Sequence, residues 1–229
     1  MKISGLQKLT LLDYPGKIAC TVFLQGCNFR CPFCHNASLV IRDEKQYIEK
    51  EEFFSFLKKR QGLVEGVCVT GGEPLMSEQT LDFLRQIKSL GYCVKLDTNG
   101  YNPDLLRKVT EEKIVDYIAM DIKNCLDKYA QTVGKENFDI EKIKCSIELI
   151  KDSGIDYEFR TTVVKQLHTE EDLFACATLA GKQSKYFLQQ FKDSGDLISE
   201  NLCGYTNEEL RQICESIKQK GYNVTVRGV

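Results

Sequence analysis

Six short, largely apolar runs alternate along the chain with longer segments whose apolar residues have helical spacing. Runs of this length between polar or glycine-containing segments are typical of buried strands. They predict strands over residues 18–23, 67–70, 92–96, 117–120, 156–164 and 185–191. Residues 224–227 are a candidate edge strand.

The segments between these runs predict helices. Thr169 and Thr206 each stand three residues before an acidic residue, the pattern of a capping box, and Gly91, Gly154 and Gly221 are typical helix ends. Because parallel strands need crossover helices, the alternation predicts a parallel α/β sheet. The pattern does not separate an open doubly wound sheet from a barrel. Helices are predicted over residues 47–60, 77–91, 103–109, 140–153, 169–180 and 206–221.

Length and charge narrow the class of protein. The 229 residues suffice for a sizeable core and no linker-like segment divides them, so one domain over residues 1–229 is predicted. Lys plus Arg number 31 against 33 Asp plus Glu, without a basic block, which gives no indication of a nucleic-acid or membrane partner.

No apolar run approaches the roughly 20 residues that span a bilayer, and the start lacks the apolar core of a signal peptide. A cytoplasmic protein is therefore predicted.

Three of the eleven cysteines form a CxxxCxxC motif, as Cys27, Cys31 and Cys34. Zinc sites built from cysteine normally have four ligands, often as two CxxC pairs, and there is no second tight pair. Three thiolates on a cubic [4Fe–4S] cluster would leave one iron open to a substrate. A zinc knuckle completed by His35 or a distant cysteine is the alternative that the motif leaves open. The other cysteines are predicted to be reduced core residues, at positions 20, 68, 93, 125, 145, 176, 203 and 214.

The second predicted strand runs into Gly71, Gly72 and Glu73. The two glycines would let backbone polar groups approach a ligand that a side chain would exclude, and Glu73 supplies an acceptor for a cation. By itself, such a segment is more often only a turn.

Charged residues also lie at the ends of the next strands. Asp97 and Asp121 follow the third and fourth, where an aspartate is costly unless it is paired or hydrogen-bonded. Lys123 points to the same side of an extended backbone as Asp121. Arg160 lies inside the fifth strand, where a charge facing a packed core needs an anionic partner. Taken alone, the aspartates are more simply explained as a helix cap and a solvated pair.

The cysteine motif, with an aromatic residue before its last cysteine, resembles the signature of the radical S-adenosylmethionine (SAM) enzymes. The runs LDYPG at 12–16 and FLQGCNFRCPFCHN at 23–36 resemble the glycyl-radical-enzyme activases. Within that family the chain is most similar to those that act on anaerobic ribonucleoside-triphosphate reductase, and the activases of pyruvate formate-lyase are close relatives. The resemblance covers roughly residues 6–191 and implies a partial (β/α)6 barrel with active residues at the C-terminal strand ends.

The resemblance also implies roles for individual residues. Cys27, Cys31 and Cys34 would be the only protein ligands of a [4Fe–4S] cluster. One cluster is expected, because the cysteine-rich insertion of larger activases is absent between Cys34 and Cys68. In pyruvate formate-lyase activating enzyme a monovalent cation is also bound, so such an ion is a further candidate. The residues that would bind SAM are Phe33, Gly71, Gly72, Glu73, Asp97, Thr98, Asp121, Lys123 and Arg160.

The implied reaction begins with an electron from a flavodoxin or ferredoxin. The reduced cluster would cleave SAM to methionine and a 5′-deoxyadenosyl radical, which would abstract the α-hydrogen of a glycine on a partner enzyme. No general base is required, and the protein would supply position and exclusion of water.

One segment departs from the family pattern. Where pyruvate formate-lyase activating enzyme has a SAM-contacting histidine near the end of the sixth strand, this chain has Gln189 and Gln190. Of its two histidines, His35 is predicted to order the cysteine loop rather than bind metal. His168 is predicted to lie on the surface near a helix N-terminus, without an assigned role.

Three functions are therefore in play. The first is activation of anaerobic ribonucleotide reductase; the second is activation of another enzyme such as pyruvate formate-lyase, or small-molecule radical SAM chemistry. The third is a non-catalytic zinc-binding module. The Tyr14-Pro15-Gly16 run and the His35-Asn36 pair favour an activase within the superfamily, and the complete set of strand-end motifs argues against a zinc module.

Overall fold

The structure is a computed structural model that describes residues 1–41 and 46–229. Its strands are β1 (Ile3–Thr10), β2 (Ala19–Leu24), β3 (Gly66–Gly71), β4 (Cys93–Thr98), β5 (Tyr117–Asp121), β6 (Asp156–Val163), β7 (Tyr186–Gln190) and β8 (Val224–Arg227). Its helices are α1 (Ala37–Ile41), α2 (Lys50–Lys59), α3 (Gln79–Ser89), α4 (Pro103–Glu111), α5 (Leu126–Thr132), α6 (Ile140–Asp152), α7 (Glu170–Ala180) and α8 (Asn207–Gln219).

The strands form one sheet in the order of the sequence, from β1 to β8. β1 is antiparallel to β2, and every other neighbouring pair is parallel. The six predicted strands correspond to β2–β7, and the candidate edge strand is β8. This arrangement confirms the predicted parallel α/β sheet.

The two faces of the sheet differ in chemistry because successive strand residues point to opposite sides. One face carries buried apolar side chains that share a core with the helices, among them Val69, Leu96, Ile118, Phe159 and Leu188. We call this the outer face. The alternate residues form the inner face, which is largely polar and includes Lys95, Asp97, Asp121, Glu158 and Arg160.

The run at 12–16 closes the inner face at the N-terminal end of the strands. Tyr14 is buried there with its ring 6.0 Å from that of Tyr117. A Cβ at Gly66 would lie 2.9 Å from the Tyr14 ring, so only glycine leaves room for it. The run therefore packs at the edge of the sheet opposite the C-terminal strand ends.

Several elements differ from the predicted ones. β1, α1 and α5 were not predicted, and the helix predicted over residues 47–60 begins at Lys50. The capping boxes at Thr169 and Thr206 are present, with Asp172 and Glu209 as their acidic partners. No helix in the described part of the chain is long and apolar enough to cross a membrane.

The cysteines outside the motif are free thiols. Five of them are buried, as predicted, at positions 20, 68, 125, 176 and 214. Cys93 and Cys145 are half-buried, and the prediction is wrong for Cys203, which is exposed because it lies in the loop between β7 and α8.

Candidate active site

A cavity of about 240 Å³ lies at the C-terminal ends of the parallel strands. The inner-face side chains of β3–β7 meet there with the loop that follows β2. Every residue that the sequence predicted for the cluster and for SAM lines this cavity: Cys27, Cys31, Phe33, Cys34, Gly71, Gly72, Glu73, Asp97, Thr98, Asp121, Lys123 and Arg160.

The cysteine loop is fixed by backbone hydrogen bonds to distant segments. The amide of Gly26 donates to the carbonyl of Leu39 at 2.9 Å, and the amide of Arg30 donates to the carbonyl of Val133 at 2.8 Å. Phe29, between the first two cysteines, is buried with its ring 5.3 Å from that of Tyr101. The three thiols are thus presented by an ordered loop.

The chemistry of this donor set fits an iron–sulfur cluster, because it consists of three soft sulfur atoms at one wall of a cavity. Burial raises the pKa of Cys27 to about 12 and that of Cys31 to about 11. The thiolates that ligate metal therefore need the positive charge of the metal to form. Within residues 1–41 and 46–229, no group of three or more His, Cys, Asp or Glu side chains is placed to hold one metal ion. This agrees with a cluster rather than a single zinc ion, because each cysteine of a [4Fe–4S] site binds a different iron.

The turn after β3 packs directly against the start of the cysteine loop. The amide of Glu73 donates to the carbonyl of Gly26 at 2.8 Å, and a Cβ at Gly72 would lie 1.8 Å from that oxygen. A Cβ at Gly71 would lie 2.3 Å from the backbone nitrogen of Leu24. These glycines were predicted to allow approach to a ligand; in the structure they are needed for close contact between two backbone segments.

The Glu73 carboxylate joins two segments around the cavity, its own turn and the end of β4. It accepts hydrogen bonds from the Leu75 amide at 2.9 Å, the Thr98 hydroxyl at 2.7 Å and the Asn99 amide at 2.6 Å. Burial raises the pKa of Glu73 to about 7, despite these donors. Glu73 thus orders the site itself, and Thr98 directs its hydroxyl to Glu73.

Asp97 and Asp121 are linked by one arginine on the inner face. Arg160 donates from Nε to Oδ1 of Asp121 at 2.9 Å, and its Nη1 lies 3.4 Å from Oδ2 of Asp97. Lys95 pairs with Asp97, and Nζ of Lys123 lies 3.0 Å from Oδ2 of Asp121. The predicted strand-end residues therefore form one ionic network. Burial acts to raise the pKa of both aspartates, but Arg160 and the two lysines hold it below the usual range, so both carboxylates are charged at neutral pH.

His168 is buried, with 1% of its surface exposed, which corrects the prediction of a surface position. Its Nε2 lies 2.8 Å from the carbonyl oxygen of Lys123, and its ring stands edge-on to Phe33 at 6.3 Å. Burial lowers the pKa of His168, which favours the neutral ring. The residue therefore packs between the strand-end loop of β5 and the cysteine loop.

His35 also contacts the segment that follows β7. Its Nε2 lies 2.8 Å from the carbonyl oxygen of Lys192, and its ring stacks on Phe191 at 5.4 Å. These contacts agree with the loop-ordering role predicted for His35.

The sequence analysis did not single out two asparagines that join the site loops. The Asn99 side chain donates to Oδ1 of Asn28 at 2.7 Å and lies 3.8 Å from the sulfur of Cys27. The only sequence signal was that Asn99 follows Asp97 and Thr98. Of the two glutamines, Gln189 lines the cavity, whereas Gln190 donates to the carbonyl of Tyr205 outside it.

Several known proteins are similar to this chain in sequence. A family model described as the Radical SAM superfamily matches residues 21–177. A protein of Methanocaldococcus jannaschii named "Putative glycyl-radical enzyme activating enzyme" is 33% identical over 234 residues, which cover 99% of this chain and 96% of the relative. The pyruvate formate-lyase-activating enzyme of Clostridium pasteurianum is 30% identical over 146 residues, 60% of each chain.

Solved structures share the fold at lower identity. A radical SAM methyltransferase from Sphaerobacter thermophilus superposes with a TM-score of 0.75 at 14% identity, over 96% of this chain and 68% of that chain. A domain of a pyruvate-formate lyase-activating enzyme from Bacteroides vulgatus gives 0.58 at 18% identity, over 71% of this chain and 99% of that domain. The fold is therefore the partial α/β barrel of radical SAM enzymes, as predicted.

The chain belongs to the radical SAM superfamily and, within it, to the family of glycyl-radical-enzyme activating enzymes. Membership implies a [4Fe–4S] cluster and SAM as cofactors, and a glycyl radical enzyme as the protein substrate.

Proposed function

We propose that this protein activates anaerobic ribonucleoside-triphosphate reductase by generating its glycyl radical, and that residues 1–229 work as one radical SAM domain. The observation that carries the radical SAM part of the proposal is the convergence of the cysteine loop, the Glu73 turn and the ionic network on one cavity. The choice of reductase rests on the runs at 12–16 and 23–36, which resemble the activases of that enzyme.

Cys27, Cys31 and Cys34 would hold the cluster. When bound, the cluster would supply the electron for reductive cleavage of SAM, and three cysteines would leave it one position without a protein ligand. The cysteine loop is held in place because its backbone amides are hydrogen-bonded to the carbonyls of Leu39 and Val133. Its task is to hold three sulfur atoms at a fixed distance from the strand ends.

The strand ends would bind and orient SAM. Glu73 offers its buried carboxylate to a cationic amino group, and a cation there would favour the ionised form of a group whose pKa burial raises to about 7. Asp97 and Asp121 can accept hydrogen bonds from hydroxyl groups, while Arg160 and Lys123 can bind a carboxylate. Phe33 and Gln189 complete the lining.

A monovalent cation at this site would have to share Asp121 with two groups that are already there. The Lys123 ammonium lies 3.0 Å from one carboxylate oxygen and Arg160 Nε lies 2.9 Å from the other. Lys123 and Arg160 therefore already neutralise the carboxylate charge that such an ion would bind.

The cavity can be reached from solvent, which a protein substrate requires. The side chains of Asp121 and Lys123 are 28% and 17% exposed. A glycine-bearing loop of the partner could therefore enter and exclude water from the site as it docks. A flavodoxin or ferredoxin is the proposed electron donor.

The experiment that tests the proposal is anaerobic reconstitution with iron and sulfide, followed by reduction and addition of SAM and a purified glycyl radical enzyme. Electron paramagnetic resonance should show a glycyl radical on anaerobic ribonucleotide reductase, with one 5′-deoxyadenosine formed per radical. A radical on pyruvate formate-lyase alone would establish the second candidate, which the Clostridium relative favours. Rapid turnover of a metabolite without any protein partner would reject activation of either enzyme and favour small-molecule radical SAM chemistry.

A further inference from the structure

A second ion pair lies on the inner face, beside the network that reaches the cavity. Glu158 of β6 is 1% exposed and accepts two hydrogen bonds from Arg227 of β8, to Oε1 at 2.7 Å and to Oε2 at 2.9 Å. The Tyr117 hydroxyl donates to Oε2 at 3.0 Å. The Arg227 guanidinium lies 3.8 Å from the centre of the Phe187 ring. The bidentate geometry and the stacking fix its orientation.

Glu158 stands two residues before Arg160 on the same strand, so both side chains point to the inner face. Their Cα atoms are about 7 Å apart along an extended strand, which an arginine side chain can span. Arg160 is therefore within reach of three carboxylates: those of Asp97, Asp121 and Glu158. In the structure it hydrogen-bonds Asp121, lies near Asp97 and leaves Glu158 to Arg227.

The positions of the charged side chains explain why Arg160 pairs with the two aspartates and not with Glu158. A buried carboxylate without a cation is strongly destabilised, so Glu158 requires a partner. Arg227 is that partner. Its side chain extends from the edge strand β8 to Glu158 and remains 37% exposed. Without it, the cations that face Glu158 are Arg160 and Lys95, both already engaged with the aspartates.

We propose that Arg227 is a positioning residue for the SAM site: by pairing with Glu158 it keeps the Arg160 guanidinium on Asp97 and Asp121. The inference rests on the proposed function, in which those two aspartates bind SAM. It makes the affinity for SAM depend on β8, whose side chains do not line the cavity.

The test compares Arg227→Met, Glu158→Gln and the double variant, each reconstituted anaerobically and assayed for iron, sulfide, melting temperature and SAM affinity by equilibrium dialysis. Arg227→Met should weaken SAM binding by about tenfold, the effect of losing one charge-assisted hydrogen bond. Glu158→Gln should bind SAM as the parent does. The double variant should return to within about twofold of the parent, because the competing charge is gone.

Arg85→Met is a matched control. Arg85 makes a bidentate pair with Glu112 at 2.8 Å for both bonds, on the helical layer outside the sheet. Its loss should leave SAM affinity unchanged. If Arg227→Met does not fold, Arg227→Lys keeps the charge but not the bidentate geometry, and should show a smaller loss that Glu158→Gln also restores.

Parental SAM affinity in a folded Arg227→Met variant would overturn the inference. So would a loss of affinity that Glu158→Gln fails to restore, because Arg227 would then act only through its packing on Phe187. Asp121→Asn in the same assay distinguishes failure of the inference about Arg227 from failure of the proposed function. If Asp121→Asn also binds SAM normally, the site assignment itself is wrong.

Discussion

The outer and inner faces of the same strands carry opposite kinds of side chain. On the outer face of β4, Val94 and Leu96 are fully buried against the helices. On the inner face of the same strand, Lys95 and Asp97 form a buried ion pair that continues to Arg160. Two apolar residues, Val94 and Leu96, thus alternate with two charged ones, Lys95 and Asp97, within a single six-residue strand.

This difference separates stability from function. Burial of apolar side chains is the main favourable contribution to folding, and the outer face provides it. Buried ion pairs contribute little net stability, and replacing them by well-packed apolar residues is often neutral or stabilising. Stability alone therefore does not explain the charges of the inner face, whereas a charged, polar ligand at the strand ends does.

The largest effect should come from the cysteine loop. Cys31→Ala should abolish cluster assembly and SAM cleavage, because two thiolates cannot hold the cluster in register. Cys176→Ala, in the helical layer behind the outer face, should keep both and lower the free energy of unfolding by about 1–3 kcal/mol. Iron and sulfide analysis of the reconstituted variants measures the difference; a full complement of iron in Cys31→Ala would contradict the assignment.

The next effect compares the two faces directly. Leu96→Ala should lower the free energy of unfolding by about 2–5 kcal/mol through the cavity it leaves, without changing SAM affinity of the folded protein. Arg160→Met should cost a similar amount, about 3–5 kcal/mol, because it leaves two carboxylates without their shared cation. Unlike Leu96→Ala, it should also weaken SAM binding severely. Equal SAM affinity in the two variants would remove the functional distinction between the faces.

A smaller effect concerns the pH dependence of stability. Because burial raises the pKa of Glu73 to about 7, the folded protein retains a proton that the unfolded chain has lost above its ordinary pKa. The associated stability is present at low pH and is lost as the pH rises towards and through 7. It amounts to roughly 3 kcal/mol for protein without cluster or SAM.

Denaturant unfolding of the parent and of Glu73→Gln between pH 5 and pH 8 measures this effect. The unfolding free energy of the parent, taken relative to that of Glu73→Gln, should fall with increasing pH. The variant lacks this contribution because its residue 73 does not titrate. A pH-independent difference would show that Glu73 titrates normally and that its three hydrogen bonds outweigh burial.

The parallel strands could be predicted because they are buried on the outer face and end in recognisable turns. β1 could not, because it is an edge strand whose residues 7–9 are exposed and carry no alternating pattern. The short α5 follows a polar segment and buries only Tyr129 and Thr132, too few residues for a helical pattern.

The candidate site residues could be named from local motifs, but not their contacts. The pairing of Arg160 with both aspartates depends on the register of β4, β5 and β6. The burial of His168 depends on packing against Phe33, which lies 135 positions earlier in the chain. The close approach of Gly72 to Gly26 likewise joins two separate loops. Such long-range contacts have no local sequence signal.

The most direct test of the account is a crystal structure of the anaerobically reconstituted protein with SAM. We predict one [4Fe–4S] cluster held by Cys27, Cys31 and Cys34, with SAM on its fourth iron and in contact with the inner-face ends of β4 and β5. Arg160 should still bridge Asp97 and Asp121. A fourth protein ligand on the metal, or SAM bound away from these strand ends, would contradict the claim that the inner face is the ligand-binding face.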